Sequence, residues 1–468
     1  MNRGVASPLP FLSDKKGKEG ENRMHTQDTI LMAQWEKPER LLRAFAQASL
    51  EMANLSYGVD LSELIADGWQ DACLIGGGRV LFSASQERAS ISRYKKLQDE
   101  MERRFRPKAG RAILATRALP NGQGIVAISF TGTEMMSEWV SNFQMAPQGG
   151  LHSGFAQHAQ QLEEASRTIL LPELSRSMGL GMAYTLYDVY KAARRPNSAF
   201  KIWVSGHSRG GAVTQIFVAR LMQMLGVRAE NILGVTFAAP TVADNRFTSR
   251  PGMYPVYHIL NEDDLVTRMG CQMRLGTDLS YWPDEAFRRA YYKHYDASSR
   301  ACGNLFAHLT KSTDFVEFLA AVDQLITPQL ERVRLPGKGE LTESQRRRLI
   351  KLKNALYRRM GPLQQARQLY LAVTGEEIDQ AHVQTYVDLL QDTLDACQGW
   401  KAGAKVMMSA AYQAHRLGSE HDTTPSAYRA ITNLYFDDLV PQVWQPGNPP
   451  RRRVTMALPP AVVQTPAF

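Results

Sequence analysis

The spacing of apolar and polar positions changes twice along the chain. Between about residues 28 and 110, apolar side chains recur every three or four positions, most clearly from Gln34 to Leu55, and this period predicts an amphipathic helix within a mainly helical segment. From Ile113 onward, short apolar runs alternate with longer runs of helical period. After about residue 320 the short runs disappear, and the helical period continues to about residue 440.

The short apolar runs have the composition of buried strands. They are Ile125–Phe130, Lys201–Ser205, Ile232–Phe237 and Val256–Leu260. Helices are predicted between them, over Phe155–Leu171, Met182–Ala193 and Ala212–Leu225. Strands that alternate with helices predict an α/β domain with a mainly parallel sheet that is covered on both faces.

The pattern divides the chain into four parts. Residues 1–27 are polar and charged and predict a disordered arm. Residues 28–322 hold the α/β domain together with its N-terminal helical part, and residues 323–445 form a helical C-terminal region. Residues 446–468 are rich in proline and predict a flexible tail.

The net charge of +9 bears on partners more than on the fold. It either serves solubility or attracts an anionic surface. No zinc-ligand spacing and no basic-aromatic pattern accompanies it, which argues against nucleic acid and favours peripheral contact with an anionic membrane. A basic helix beginning at the capping box of Thr342 and Gln345 is interpreted as a solvated helix, with a membrane-surface or partner-binding helix as the alternative.

The sequence also bears on the compartment. The apolar run over residues 5–12 is short and contains Pro8 and Pro10, so it is not typical of a secretory signal. We therefore expect a cytoplasmic protein, or one that a dedicated secretion system exports. The four cysteines are widely spaced, and buried thiols are expected, although a disulfide between Cys271 and Cys302 stays open.

The most informative segment is a G-x-S-x-G motif between a predicted strand and a predicted helix, Gly206-His207-Ser208-Arg209-Gly210. A sharp turn there would present the Ser208 hydroxyl as a nucleophile, and it needs flanking glycines because side chains would collide with the neighbouring strand and helix. The turn would also direct the backbone N–H of Arg209 toward a developing oxyanion. The alternative is a glycine-rich turn whose serine only caps the helix.

Five segments, in order over about residues 113–310, resemble motifs of the class 3 lipases. They are Ile128-Ser129-Phe130-Thr131-Gly132-Thr133 followed by Trp139, His152-Ser153-Gly154-Phe155, Gly206-His207-Ser208-Arg209-Gly210-Gly211-Ala212, Thr236-Phe237-Ala238-Ala239-Pro240 and Asn261-Glu262-Asp263-Asp264-Leu265-Val266. The resemblance implies an α/β-hydrolase fold, with the N-terminal and C-terminal helical parts as additions. It also implies an ester hydrolase for lipid esters, either a triacylglycerol lipase or a phospholipase A.

The resemblance further implies a second oxyanion group and a lid. Thr133 would supply the oxyanion group through its backbone N–H, and residues 134–147 would form a lid with an apolar face. An ordinary amphipathic helix packed on the core is the alternative for this segment. Thr131 stands where the family usually has an arginine, which leaves open how the oxyanion loop is braced.

A serine nucleophile needs an imidazole base and a carboxylate that orients it, in the chain order Ser, acid, His. The acid should follow the strand Val256–Leu260, and the family pattern there selects Asp264, with Asp263 as the alternative. Ala307-His308-Leu309 resembles the family's D-H-L segment, so the resemblance implies His308 as the base, with His294 as the alternative.

Three functions fit these observations. The first is a lipolytic enzyme, the second a soluble carboxylesterase or thioesterase on the same scaffold, and the third a non-enzymatic interaction protein that keeps the fold. The strained elbow argues against the third, because a strained turn without a task is a cost. The mechanism needs no metal and no organic cofactor, so none is expected.

Overall fold

The computed structural model describes most of the chain from residue 18 to residue 443. The described residues are 18–58, 61–83, 111–132, 147–292, 295–309, 314, 317–318, 320–322, 324–325, 378–397, 400–418 and 422–443.

One large sheet organises the described residues. Its nine strands are β1 (Gln70–Gly76), β2 (Arg79–Ser83), β3 (Arg111–Ala118), β4 (Gly124–Phe130), β9 (Phe200–His207), β10 (Ile232–Phe237), β11 (Val256–Asn261), β12 (Thr277–Tyr281) and β13 (Val440–Val443). Two short antiparallel pairs lie outside it, β5 (Pro147–Gln148) with β6 (Leu151–His152) and β7 (Leu170–Leu171) with β8 (Tyr184–Thr185).

The sheet is parallel at its centre and antiparallel at its edges. Its strand order is β13-β12-β11-β10-β9-β4-β3-β1-β2. The five strands from β4 through β9, β10 and β11 to β12 are parallel, while β3, β1 and β2 on one side and β13 on the other pair antiparallel. The predicted α/β class with a mainly parallel sheet is therefore confirmed.

The described helices fall into three groups along the chain. The N-terminal helices are α1 (Lys18–Glu36), α2 (Arg43–Leu55) and α3 (Ser62–Ala66). Those between the strands are α4 (Ser153–Ala165), α5 (Pro172–Ser177), α6 (Leu186–Ala192) and α7 (Arg209–Leu225). The C-terminal ones are α8 (Glu285–Tyr291), α9 (Ala297–His308), α10 (Gln380–Ala396), α11 (Trp400–His415) and α12 (Ala427–Leu434).

Both faces of the sheet are covered, and β9 shows how. Successive side chains of a strand point to opposite faces. Ile202 and Val204 enter the core beneath α4 and α7, whereas Trp203 enters the core beneath α2. The indole N–H of Trp203 donates to the Ser49 hydroxyl at 3.0 Å, and the ring packs 4.9 Å from that of Phe45. Every residue of β9 is consequently buried, and the elbow that follows it is held by both layers.

The N-terminal part differs from its prediction in three places. Helix α1 begins at Lys18, inside the stretch expected to be a disordered arm. The single helix predicted from Gln34 to Leu55 is two helices, since the chain turns at Lys37–Leu42, where Pro38 lacks the N–H that a continuous helix needs. The hairpin of β1 and β2 lies in a region expected to be mainly helical.

The C-terminal part also differs from its prediction. Strand β13 lies in the region expected to be helical and pairs with β12, so this part of the chain extends the central sheet. Helices α9, α10 and α11 form a separate small core, and α12 packs against α2 and β11. The basic helix expected after Thr342 lies outside the described residues.

Two further observations concern disulfide formation and membrane-spanning helices. All four cysteines are buried and free, so the Cys271–Cys302 disulfide that the sequence left open is not formed. None of the described helices combines the length and the apolar character that crossing a bilayer requires.

Candidate active site

The turn between β9 and α7 has the conformation of a nucleophile elbow. Ser208 is the single residue between the strand and the helix, with φ 57° and ψ −126°. A side chain at Gly206 would overlap the backbone of Gly210, and one at Gly210 would overlap the carbonyl group of Phe130. Packing therefore requires glycine at both flanking positions, while Ser208 keeps a positive φ that is strained for a residue other than glycine.

Ser208 is covered in this structure. It is 3% exposed, whereas the elbow was expected to present its hydroxyl to a substrate. The close packing of β4 on the elbow accounts for part of this burial, since Phe130 lies directly against Gly210. Residues 134–146 of the predicted lid lie outside the described residues.

Asp264 follows β11 and is completely buried. Its Oδ1 accepts the backbone N–H of Val266 at 2.9 Å and so caps the short 3-10 helix Leu265–Arg268. Its Oδ2 accepts from Nδ1 of His415 at 2.8 Å and from the hydroxyl of Tyr428 at 2.8 Å. With both oxygens satisfied, the carboxylate is held in one orientation.

The neighbouring carboxylate has other partners. Asp263 accepts two N–H groups of the Arg288 guanidinium at 2.7 and 2.8 Å and the hydroxyl of Tyr292 at 3.0 Å. Burial would lower the pKa of Arg288, but the hydrogen bonds and the charge of Asp263 raise it on balance. Of the two candidates for the acid, Asp264 is therefore the one that meets a histidine.

The histidine beside Asp264 is His415, the last residue of α11. It is 4% exposed, and its ring centroid lies 4.6 Å from that of His207, the residue before the nucleophile. Because the carboxylate only accepts hydrogen bonds, Nδ1 of His415 carries the proton in this pair. Its Nε2 is then the nitrogen that would exchange a proton with Ser208.

The structure does not bring His308 to Asp264. His308 is exposed at the end of α9, and its Nδ1 lies 2.9 Å from the carbonyl oxygen of Asn304 in the preceding turn. The expected pair of Asp264 with His308 is therefore not formed, since among the described residues it is His415 that pairs with this carboxylate. The alternative, His294, lies outside the described residues.

The end of α9 nevertheless lies close to the turn that follows Asp264, because its backbone carbonyl groups accept hydrogen bonds from that turn. The guanidinium of Arg268, in the turn that follows the acid, donates to the carbonyl oxygens of Phe306 and Leu309. The hydroxyl of Tyr386 donates to the carbonyl oxygen of His308 at 3.0 Å. These bonds satisfy carbonyl groups that a helix end leaves without partners, and the imidazole of His308 is left pointing away.

Sequence reasoning missed His415 because it looked for the base shortly after the acid. Chain order fixes only that the histidine comes later, and here three described helices, α8, α9 and α10, precede the helix that carries it. One signal was present in the helical period. Ala411, Ala414 and His415 lie three and four positions apart, which places the histidine on the buried face of α11. His382, by contrast, has a side chain that is 65% exposed.

The oxyanion loop is braced from two sides. Thr133, predicted to supply the second oxyanion group, lies outside the described residues, but the two residues before it are described. The hydroxyl of Thr131, at the position where the family usually has arginine, donates to the carbonyl oxygen of Ser56 at 2.7 Å. From the elbow side, Nη2 of the buried Arg209 donates to the carbonyl oxygen of Gly132 at 3.2 Å.

Arg209 lies at the first position of α7, where the N–H groups of a helix have no partner within the helix and carry partial positive charge. Its backbone is therefore located as an oxyanion donor would be. Its cationic side chain, however, lies at the end of the helix that the dipole disfavours for a positive charge. The bond to the oxyanion loop compensates for that unfavourable location.

Comparison with known proteins agrees with this arrangement. Residues 127–273 match the family model described as Lipase (class 3), and this segment includes the elbow and the acid. Among curated proteins, no relative matches the chain.

The solved structures that are similar to this chain include fungal lipases. A Rhizomucor miehei lipase propeptide complex is 21% identical, with 38% of this chain and 54% of that chain covered and a TM-score of 0.28. The Lip2 lipase of Yarrowia lipolytica is 16% identical, with 51% and 79% covered and a TM-score of 0.31. A lipase of Rhizopus microsporus var. chinensis is 14% identical, with 54% and 76% covered and a TM-score of 0.31. The chain thus spans about half the length of the first of these, and the likenesses are too distant to bear on function. The resemblance predicted from the sequence motifs is confirmed by the family-model match over residues 127–273.

Proposed function

We propose that the protein is a serine ester hydrolase that acts on lipid esters, with Ser208 as nucleophile, His415 as base and Asp264 as the acid that orients it. One observation carries the proposal: a completely buried carboxylate holds, at 2.8 Å, an imidazole that lies against a strained strand-to-helix serine turn. A buried charge and a strained backbone each cost free energy, and their coincidence at one point is typical of an active site.

The proposed mechanism gives these groups the roles that they have in a serine hydrolase triad. Ser208 attacks the ester carbonyl while Nε2 of His415 accepts its proton. Asp264 stabilises the imidazolium that forms, and the backbone N–H groups of Thr133 and Arg209 stabilise the tetrahedral oxyanion. His415 then protonates the leaving alcohol. Water, activated by the same histidine, releases the acyl group from Ser208 and regenerates the free hydroxyl.

Lipid esters are the proposed substrates because the class 3 lipase match covers the elbow and the acid. Triacylglycerol and phospholipid are both retained, and cleavage of phospholipid would be of the phospholipase A type. The net charge of +9 supports peripheral contact with an anionic membrane surface. A cytoplasmic location, or export by a dedicated system, stays a proposal from the sequence. A soluble carboxylesterase or thioesterase on the same scaffold is the second candidate.

The test is lipid-product analysis after mixing the protein with phosphatidylcholine vesicles, with vesicles that also contain phosphatidylglycerol, and with triacylglycerol emulsions. Free fatty acid should appear with the wild type and not with Ser208→Ala. Ser205→Ala is the matched control, because Ser205 is buried in β9 three residues earlier and its hydroxyl bonds to no described residue. Hydrolysis that survives in Ser208→Ala would contradict the proposed nucleophile.

A series of nitrophenyl esters separates the two candidate functions. A lipolytic enzyme should prefer long acyl chains and should turn over faster when the substrate passes from monomer to micelle. A preference for acetate and butyrate, with equal rates on both physical forms, would favour the soluble esterase.

A further inference from the structure

His207 occupies the position between Gly206 and Ser208 in the elbow, and its ring connects two distant parts of the chain. It is 5% exposed. Its Nδ1 lies 2.6 Å from the hydroxyl of Tyr57, which follows α2. Its Nε2 lies 2.9 Å from the backbone carbonyl oxygen of His415, the proposed base. The ring of the residue beside the nucleophile therefore contacts the main chain of the base.

The partners of His207 determine where its proton lies. A backbone carbonyl oxygen can only accept, so Nε2 carries the proton and donates to His415, and Nδ1 accepts from the hydroxyl of Tyr57. Burial, together with the neighbouring His415, lowers the pKa of His207 well below its ordinary value. The ring is thus neutral, with one donor and one acceptor, and both are used. A neutral ring cannot itself act as a second cation beside the nucleophile.

The bond to His415 acts on a helix end. His415 is the last residue of α11, and carbonyl groups in the last turn of a helix have no partner within that helix. The ring of His207 supplies the partner, while Asp264 holds the imidazole of the same residue. Backbone and side chain of His415 are then fixed at two points, one on the elbow and one on the acid. Two fixed points restrain the rotation of the imidazole more than either alone.

We propose that His207 is a positioning residue, which sets the base against the nucleophile by holding the main chain of His415. This inference rests on the proposed function. It also involves Tyr57, whose hydroxyl lies so close to Gly132 of the oxyanion loop that a side chain at Gly132 would overlap it. Tyr57 orients the ring of His207 from the side opposite to the base. The base, the elbow and the oxyanion loop are in this way connected through one imidazole.

The test uses two amide variants of nearly equal polarity. In His207→Gln the amide nitrogen can occupy the place of Nε2 and still donate to His415, whereas in His207→Asn the shorter amide corresponds to Nδ1 and does not reach that carbonyl.

The measurement is the second-order rate constant with which a fluorophosphonate labels Ser208, followed by mass spectrometry, together with kcat and KM on a soluble nitrophenyl ester. Ser208 should be labelled at least about tenfold more slowly in His207→Asn than in His207→Gln, since displacements of the order of 1 Å lower the reaction rate by up to about 100-fold. The difference should appear in kcat and not in KM.

The chain provides a matched control in His258. That ring is completely buried and makes the same pair of contacts, with the hydroxyl of Thr236 at 2.6 Å from Nδ1 and the carbonyl oxygen of Leu275 at 3.1 Å from Nε2. Its carbonyl partner is not the base. The two His258 variants should therefore differ from each other in melting temperature, as the two His207 variants should. Fluorophosphonate should nevertheless label Ser208 at the same rate in both His258 variants.

The outcomes are distinguishable. Equal labelling rates for His207→Gln and His207→Asn, both near that of the wild type, would overturn the positioning role. A rate difference as large in the His258 pair would also overturn it, because the effect would then be one of general stability. If His207→Asn fails to fold, Tyr57→Phe decides: an unchanged kcat contradicts the proposal, and a lowered kcat with an unchanged KM supports it. A wild type that fluorophosphonate does not label would count against the proposed function itself.

Discussion

The candidate site combines residues from two regions of the chain, and these regions differ in how far their site residues can be predicted from the sequence. The first is the matched segment, residues 127–273, which carries Ser208 and Asp264 and agrees with a family model. The second is the C-terminal segment, residues 378–443, which carries His415 and Tyr428 and lies beyond that match. In the proposed function the matched segment supplies the nucleophile and the acid, and the C-terminal segment supplies the base and a second hydrogen bond to the acid.

The difference teaches that recognising a fold does not locate every group of its active site. The elbow is defined by backbone sterics over five consecutive residues, so its signature is local and survives in the sequence. The position of the base is defined only by where a later segment docks on the sheet, and any number of residues can be inserted before it. Among the described residues, α8, α9 and α10 lie between Asp264 and α11, the helix that ends at His415.

The largest expected effect tests whether the C-terminal segment supplies the base. His415→Ala should lower kcat by at least about 10⁴-fold, because loss of the histidine of a triad leaves only binding and oxyanion stabilisation. His308→Ala should stay within about twofold of the wild type, since its ring is exposed and its Nδ1 lies against the carbonyl oxygen of Asn304 in its own helix. Steady-state hydrolysis of a nitrophenyl ester measures both. The reverse ranking would restore His308 and separate the C-terminal segment from catalysis.

The next effect tests the acid within the matched segment. Asp264→Asn should lower kcat by about 10⁴-fold, because an amide cannot stabilise the imidazolium and favours the wrong tautomer of His415. Asp263→Asn should alter stability through its ion pair with Arg288 and leave kcat within about threefold. The pH profile of kcat/KM, recorded for both variants, gives the comparison. Equal losses would mean that the two carboxylates act as one unit.

A smaller effect concerns the bond from the elbow to the oxyanion loop. Arg209→Leu keeps the backbone N–H and removes the guanidinium that donates to Gly132, so kcat should fall by about 10- to 100-fold, less than the loss of a whole oxyanion donor. Arg220→Leu is the control on the same helix, since it removes an ion pair with Glu163 away from the elbow. Single-turnover acylation rates distinguish the two. Unchanged acylation in Arg209→Leu would leave the loop braced by Thr131 alone.

The smallest effect on turnover is expected at His258, in the matched segment but outside the site. Burial lowers the pKa of His258 to about 4, whereas the unfolded chain titrates it near 6.5. Between these values the unfolded chain binds a proton that the folded chain does not, so the free energy of unfolding falls as the pH falls from 6.5 toward 4. His258→Gln should reduce this slope by up to about 1.4 kcal/mol per pH unit, with kcat at pH 7 unchanged. Urea unfolding at pH 7, 6 and 5 checks it, and an equal slope would contradict it.

The fold could be predicted from the sequence because it is encoded in local patterns of apolar and polar residues. The strands β4, β9, β10 and β11 are short apolar runs buried on both faces, and their period and their separation by helices identify a parallel sheet. The prediction failed where pairing with a distant strand decides the structure. β13 is only Val440–Val443, too short to stand out by itself, and it becomes a strand because β12 offers an open edge.

The same distinction holds within the candidate site. Ser208 and Asp264 were found because each follows a recognisable strand. His308 was preferred because Ala307-His308-Leu309 resembles the family's D-H-L segment, but only His308 and Leu309 agree with it, and so short a match is weak. The bracing of the oxyanion loop by Arg209 was not foreseen, since the residue had been considered only for its backbone N–H. Side-chain contacts of that kind depend on how β4 packs on the elbow, which no local pattern encodes.

The location of His415 at the end of α11 affects the protein while it is being synthesised. A ribosome adds about 5 to 20 residues per second, and roughly 200 residues separate Ser208 from the imidazole proposed to activate it, so about 10 to 40 s pass between the two. Throughout that interval the nascent chain carries a serine without its base. Under the proposed mechanism, ester hydrolysis can therefore begin only after α11 has been synthesised and His415 has reached Asp264.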